Sequence, residues 1–254
     1  MKQWRLKLLG FILLSCLLLL SYMNRSAEAL WKSGNAKKSP QVMVIFVDMS
    51  GSTNRARSTV CREAFEKIYQ NLSQGDRIMV GTITGRSYID FKPAVDAEIP
   101  KKTIWVNRIQ FERNPTKTEE KIRREVDRLL SRKRGTQRTE ILNSLNIADT
   151  VFYNEKRQKI LVILSDMIQD SKEYNFARVK ITGNYINKVI RYRRKHNLIP
   201  NLTGVKVNVA GTSGADSNKF RSLENFWARY FAESGADFSR HRYGYSLISF
   251  EKKP

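Results

Sequence analysis

"VMVIFVDMSGST", residues 42 to 53, is the stretch on which the fold turns. Six consecutive apolar residues run into Asp48, and hydroxyl side chains follow around Gly51. An apolar run without polar alternation reads as a strand buried on both faces, and such strands belong to parallel sheets covered by helices. The end of the run is chemically different. Asp48, Ser50 and Ser52 fall at every second position, so a tight turn through Gly51 can aim three oxygen-bearing side chains at one point. A hard cation suits that arrangement. Mg²⁺ takes about six oxygens and is commonly bound through only one or two carboxylates.

The rest of the chain repeats the first half of this pattern. Strands are expected over 42–48, 77–84, 87–91, 159–166, 205–212 and 244–250, and helices near 55–72, 116–133, 140–154, 184–197 and 217–234. Strands alternating with helices predict an α/β fold: a doubly wound, mostly parallel six-stranded sheet with helices on both faces, Rossmann-like in architecture. Residues 93–115 are the least regular part and read as a loop excursion. In the stretch 217–234, Phe220, Leu223, Phe226, Trp227, Tyr230 and Phe231 recur at intervals of three and four, which marks the core face of the last helix, ended by Gly235.

Ligands of open parallel sheets collect outside the carboxyl ends of the strands. Asp48 is at such an end, and Asp166 ends the strand "KILVILSD" in the equivalent position. In "GTQRTEILNSL", Thr139 precedes a helix that Ile141 and Leu145 anchor; Thr136, after a glycine, is the alternative. Each residue also has a plainer reading. Asp48, Ser50, Ser52 and Asp166 are all N-capping residue types, and Asp170 reads as a turn residue or an acceptor behind the ligands.

Taken in order, Asp48-x-Ser50-x-Ser52, Thr139 and Asp166 resemble the metal-ion-dependent adhesion site of the von Willebrand factor type A family, over roughly residues 40 to 250. The resemblance implies that both serines and the threonine contact a divalent ion, Mg²⁺ or in its place Mn²⁺ or Ca²⁺, while the aspartates act directly or through water. It also implies that a Glu or Asp of a protein partner completes the shell. An enzyme is not expected. Haloacid-dehalogenase-type phosphatases share the strand ending in Asp, but they need a second Asp two residues on, where this chain has Ser50. There is no phosphate-binding glycine loop with lysine, no nucleophile elbow and no histidine-rich metal spacing. His196 and His241 stand among cations and read as surface residues.

The chain of 254 residues carries 46 basic and 24 acidic residues, a formal +22. That surface favours anionic partners: an acidic protein, anionic lipid headgroups or, less readily, nucleic acid. Arg191, Arg193, Arg194 and Lys195, in the acid-free run "VIRYRRKHN", are the candidate anion-binding residues. The run "KIRREVDRLLSRKR" is interrupted by Glu125 and Asp127, as in an ordinary paired helix face. Trp105 is a candidate contact residue.

Residues 1–29 read as a signal peptide or signal anchor: cations in "MKQWRLK", an uncharged run from Leu8 to Asn24, and "SAEA" cleavable after Ala29. "LLSC" around Cys16 resembles a lipobox but is followed by four leucines. Export to a periplasmic or extracellular space, soluble or membrane-anchored, is the expectation. Residues 30–40 read as a polar linker and 41–252 as the folded domain. Cleavage would leave Cys61 as the one thiol and a charge of about +19, so the basic character belongs to the folded part.

Overall fold

The computed structural model describes residues 39–49, 55–89, 91–101, 108–132, 138–212 and 216–247, with the side chains of 55–57 and 108–115 excepted. These residues belong to one unit, Ser39–Glu251. The export segment, nearly all of the linker, Ser50, Ser52, Thr136 and Trp105 lie outside the described residues.

Among the described residues six strands form one sheet: β1 (Gln41–Asp48), β2 (Arg77–Ile83), β3 (Val95–Glu98), β4 (Gln158–Leu164), β5 (Val205–Ala210) and β6 (Asp237–Gly244). Their order is β3-β2-β1-β4-β5-β6. All neighbours are parallel except β2 and β3. β1 is central and buried at every residue, which explains its unbroken hydrophobicity. Its side chains alternate between two cores. Met43, Ile45 and Val47 join Val60, Phe65 and Ile68 of α1 (Arg55–Tyr69) and Ile122, Val126 and Leu129 of α2 (Arg108–Leu130). Val42, Val44 and Phe46 face α3 (Ile141–Phe152), α4 (Gly183–Lys195) and α5 (Ser217–Glu233). The sheet is therefore covered on both faces. Phe226, Trp227, Tyr230 and Phe231 of α5 are fully buried, as their spacing predicts.

Two strands differ from expectation. The stretch 87–91 holds no strand among its described residues: Ser87 closes a turn on Thr84, and Tyr88 and Ile89 are exposed. The edge strand is β3, inside the stretch expected to be a loop, and the last eight residues of that stretch, 108–115, are the start of α2. β3 has the sequence "VDAE" with only Val95 buried, so it carries no apolar run to announce it. Its Asp96 pairs with Arg77 and Glu98 with Arg157, charges of the kind that keep an edge from pairing further. The last strand is Asp237–Gly244, earlier than the expected 244–250, because as the other edge it too alternates poorly and holds Arg240 and Arg242. Its register on β5 shifts between Val207 and Val209.

Gly81 of β2 has a packing role. A Cβ there would stand 2.3 Å from the Phe91 ring, so the missing side chain lets Phe91 lie across β2 and meet Phe46 edge-on at 6.0 Å. Cys61 is buried and forms no disulfide among the described residues. Among the described residues no helix is long and apolar enough to cross a membrane.

Candidate metal centre at the carboxyl ends of β1 and β4

The strand order reverses between β1 and β4. From β1 the chain passes by α1 to β2 on one side, and from β4 by α4 to β5 on the other, with the two helices on opposite faces. Loops diverge at such a point and leave a crevice. Asp48 ends β1 at that crevice, and Ser165 and Asp166 follow β4.

Asp48 is 2% exposed. The Ser165 hydroxyl donates to its Oδ2 at 2.6 Å and accepts from the Met167 N–H at 3.0 Å. Ser165 thus links the two strand ends and orients the buried carboxylate, a role the sequence reading missed. The signal was its position in "LSD", directly before Asp166. Asp166 is oriented separately, through an Ile168 N–H that donates to its Oδ1 at 3.0 Å. Gly211, with φ +101°, holds the end of β5 so close that a Cβ would lie 3.2 Å from the Ser165 carbonyl oxygen.

Thr139 is held by backbone pairing. Its N–H and carbonyl both bond with Asp170, each at 2.9 Å, while the next residue, Glu140, donates to the Thr84 carbonyl at the end of β2. Thr139 and Glu140 thus link the loop after β4 to the end of β2, the strands on either side of β1. Thr139 is buried at 4% exposure. Gln169 fixes the helix behind it, its Oε1 accepting from the Leu142 N–H at 3.0 Å. Asp170 serves through its backbone, and its Oδ1 accepts from Asn175. Asp48 and Asp166 therefore stand at adjoining strand ends, and Thr139 is tied by its backbone to Asp170, four residues beyond Asp166, whereas Ser50 and Ser52 follow Asp48 outside the described residues.

The donor set tests the expected ion. Among the described residues no three His, Cys, Asp or Glu side chains gather as a metal cluster. The expected set needs only two carboxylates, and its remaining donors are hydroxyls. Asp48, Thr139 and Asp166 offer oxygen alone, so they fit a hard cation of the Mg²⁺ type. Two further hydroxyls, Thr212 Oγ1 beyond β5 and Tyr243 Oη near the end of β6, are buried without a hydrogen-bond partner among the described residues. Burial and the charges of Glu224 and Asp166 push the Tyr243 phenol well above its usual range, so it stays protonated.

The basic run on α4 divides. Arg191, Arg194 and Lys195 are exposed, and Arg194 pairs with Glu233. Arg193 departs from its expected role: it is 3% exposed, and its guanidinium donates to Tyr230 Oη, to the Leu198 and Leu142 carbonyls and to Asn143. A cation spent inside the core is not offered to a surface. His196 and His241 are exposed, the former with its ring tilted against that of Tyr192 at 4.3 Å and the latter bonded to Ser239.

No family model matches the chain, and no curated protein matches it. Solved structures with a similar fold exist. They include the pilus adhesin SpaC from Lactobacillus rhamnosus GG, 13% identical with TM-score 0.46 over 83% of this chain. The minor pilin PilB from Streptococcus sanguinis is 14% identical, with TM-score 0.49 over 80% of the chain. A von Willebrand factor type A protein from Catenulispora acidiphila is 15% identical, with TM-score 0.34 over 78%. The chain spans 28%, 57% and 43% of those three chains. Likeness at this level carries no function across, which leaves the residues themselves.

Proposed function

We propose that this chain is an exported von Willebrand factor type A-like module that binds a divalent cation through Asp48, Ser50, Ser52, Thr139 and Asp166 and holds an acidic side chain of a protein partner. The observation that supports the reading is the backbone bridge of Thr139 to Asp170 and of Glu140 to Thr84, at the end of the sheet where Asp48 and Asp166 close β1 and follow β4. The chain's own residues have separate tasks. Ser165 holds the Asp48 carboxylate, the Ile168 N–H holds Asp166, and Asp170 fixes Thr139. A bound Mg²⁺, Mn²⁺ or Ca²⁺ supplies a Lewis-acidic position for an incoming carboxylate. The formal +22 attracts acidic partners and speeds encounter, more so at low salt. We read the module as non-enzymatic and its first 29 residues as the export signal or anchor.

Calorimetry of the full chain with MgCl₂ tests the site: binding is expected in the wild type and not in Asp48→Ala. Identical titrations would overturn the reading. Capture of a partner from the native membrane fraction should likewise be lost with chelator.

A second reading concerns α4, which has no acidic residue. Lys188, Arg191 and Lys195 are exposed there and make no ion pair among the described residues, an arrangement suited to anionic headgroups. Binding of that kind survives chelator and fails at high salt.

A further inference from the structure

Six large apolar side chains are exposed among the described residues, and three of them stand at the strand end that carries the candidate metal centre: Tyr88 at 61%, Ile89 at 73% and Tyr245 at 59%. Both groups are held outward between inward anchors. Before Tyr88, the Ser87 hydroxyl is buried in two 2.9 Å bonds to Thr84, and after Ile89 the chain returns to the core at Phe91. Tyr245 stands between buried Tyr243 and buried Leu247, its carbonyl accepting from the Gly211 N–H and that of Leu247 from Lys67. Three of the six exposed large apolar side chains at one rim of the sheet make that rim the candidate contact surface.

Their positions follow from the strand order. Tyr88 and Ile89 follow β2, next to β1, and Tyr245 follows β6, two strands from β4. With about 4.8 Å between strands, the end of β2 lies about 5 Å from that of β1 and the end of β6 about 10 Å from that of β4. Arg86 and Arg138 are exposed beside the first group, with the Arg138 Cβ packed against Gly85.

We propose that the partner is a protein segment in which a Glu or Asp is flanked by apolar or aromatic side chains, its acid at the metal centre and its flanks on Tyr88 and Ile89 to one side and Tyr245 to the other. The inference rests on the metal-site reading and adds the partner's chemistry to it. An extended segment rises about 3.3 Å per residue, so the flanking residues belong about two positions to one side of the acid and three to the other. Arg86 and Arg138, exposed at the same end of the sheet, suit an acidic segment.

The test uses the full chain in mild detergent with MgCl₂ and short fluorescent peptides read by anisotropy. One peptide has a central Glu in a Gly–Ser background, a second adds Phe at the two flanking positions, and a third replaces the Glu of the second by Gln. The flanked Glu peptide should bind at least about tenfold tighter than the unflanked one. That gain should vanish in Tyr88→Ser/Ile89→Ser/Tyr245→Ser, which keeps its Mg²⁺ titration and melting curve. An unflanked peptide that binds equally well, with Mg²⁺ binding intact, overturns the inference and leaves the metal reading standing. Equal binding of the Gln peptide, or a gain that survives chelator, also overturns it. Self-association of the wild type that the triple variant loses would make the occupant a second copy instead. Absence of Mg²⁺ binding in the wild type overturns the underlying reading.

Discussion

The Ser165 hydroxyl reaches Asp48 Oδ2 across 2.6 Å and so ties the last residue of β1 to the first residue beyond β4. Both side chains are buried, which makes the bond costly to lose. Ser165→Ala removes the donor to a buried carboxylate and the acceptor of the Met167 N–H together. We expect a loss of about 1 to 3 kcal/mol in denaturant unfolding and a Mg²⁺ affinity lowered several-fold. Ser165→Thr, which keeps the hydroxyl, should recover the affinity. A variant with unchanged Mg²⁺ titration would show that Ser165 serves stability alone.

How much of this was legible in the sequence depends on where burial lies. β1, β2, β4 and β5 are the interior strands, and their apolar runs announced them within a few residues. The edges β3 and β6 were misplaced for the same reason: a strand with one neighbour and a solvated face need not be apolar, and these two carry Asp96, Glu98, Arg240 and Arg242. Asp48 and Asp166 were readable because their strands were. Thr139 was readable as a hydroxyl before a helix, but its pairing with Asp170 is a bridge over 31 positions that no local pattern reports. Arg193 misled because a charge run gives no sign of which member turns inward.

Gly211 couples the end of β5 to this centre. Its φ of +101° is a conformation that side chains rarely adopt, and a Cβ would press on the Ser165 backbone at 3.2 to 3.3 Å. Gly211→Ala should cost about 1 to 3 kcal/mol by strain at the backbone. Since Ser165 must shift to relieve the contact, weaker Mg²⁺ binding should accompany the lower melting temperature. Loss of stability with unaltered Mg²⁺ affinity would uncouple the two.

The opposite end of the sheet sets a pH response. Hydrogen bonds from Arg157 hold the Glu155 carboxyl at about 2, below its ordinary 4.5. A lowered folded-state value means that the contribution to stability is complete above pH 4.5 and fades as the pH falls toward 2. Arg157 also bonds the Gly75 carbonyl and pairs with Glu98, so the link braces the start of β4 against β3. Unfolding midpoints measured across that acid range should fall less steeply in Glu155→Gln than in the wild type. Parallel curves would remove Glu155 from the acid response.

The α4 cations separate structure from surface chemistry. Arg193 satisfies Tyr230 Oη and the Leu142 and Leu198 carbonyls from inside the core, so Arg193→Ala strands several buried polar groups. A loss of about 2 to 5 kcal/mol in unfolding free energy follows. Arg193→Lys should recover only part of it, because a single ammonium does not reproduce a planar fork of donors. The exposed set behaves in the opposite way. Lys188→Glu, Arg191→Glu and Lys195→Glu together should leave stability within about 1 kcal/mol of wild type. They should also reduce sedimentation with phosphatidylglycerol vesicles at low salt, if α4 meets anionic headgroups. Vesicle binding that is the same in both variants and the wild type would remove α4 as a membrane contact, while a stable Arg193→Ala protein would overturn the buried role of that guanidinium.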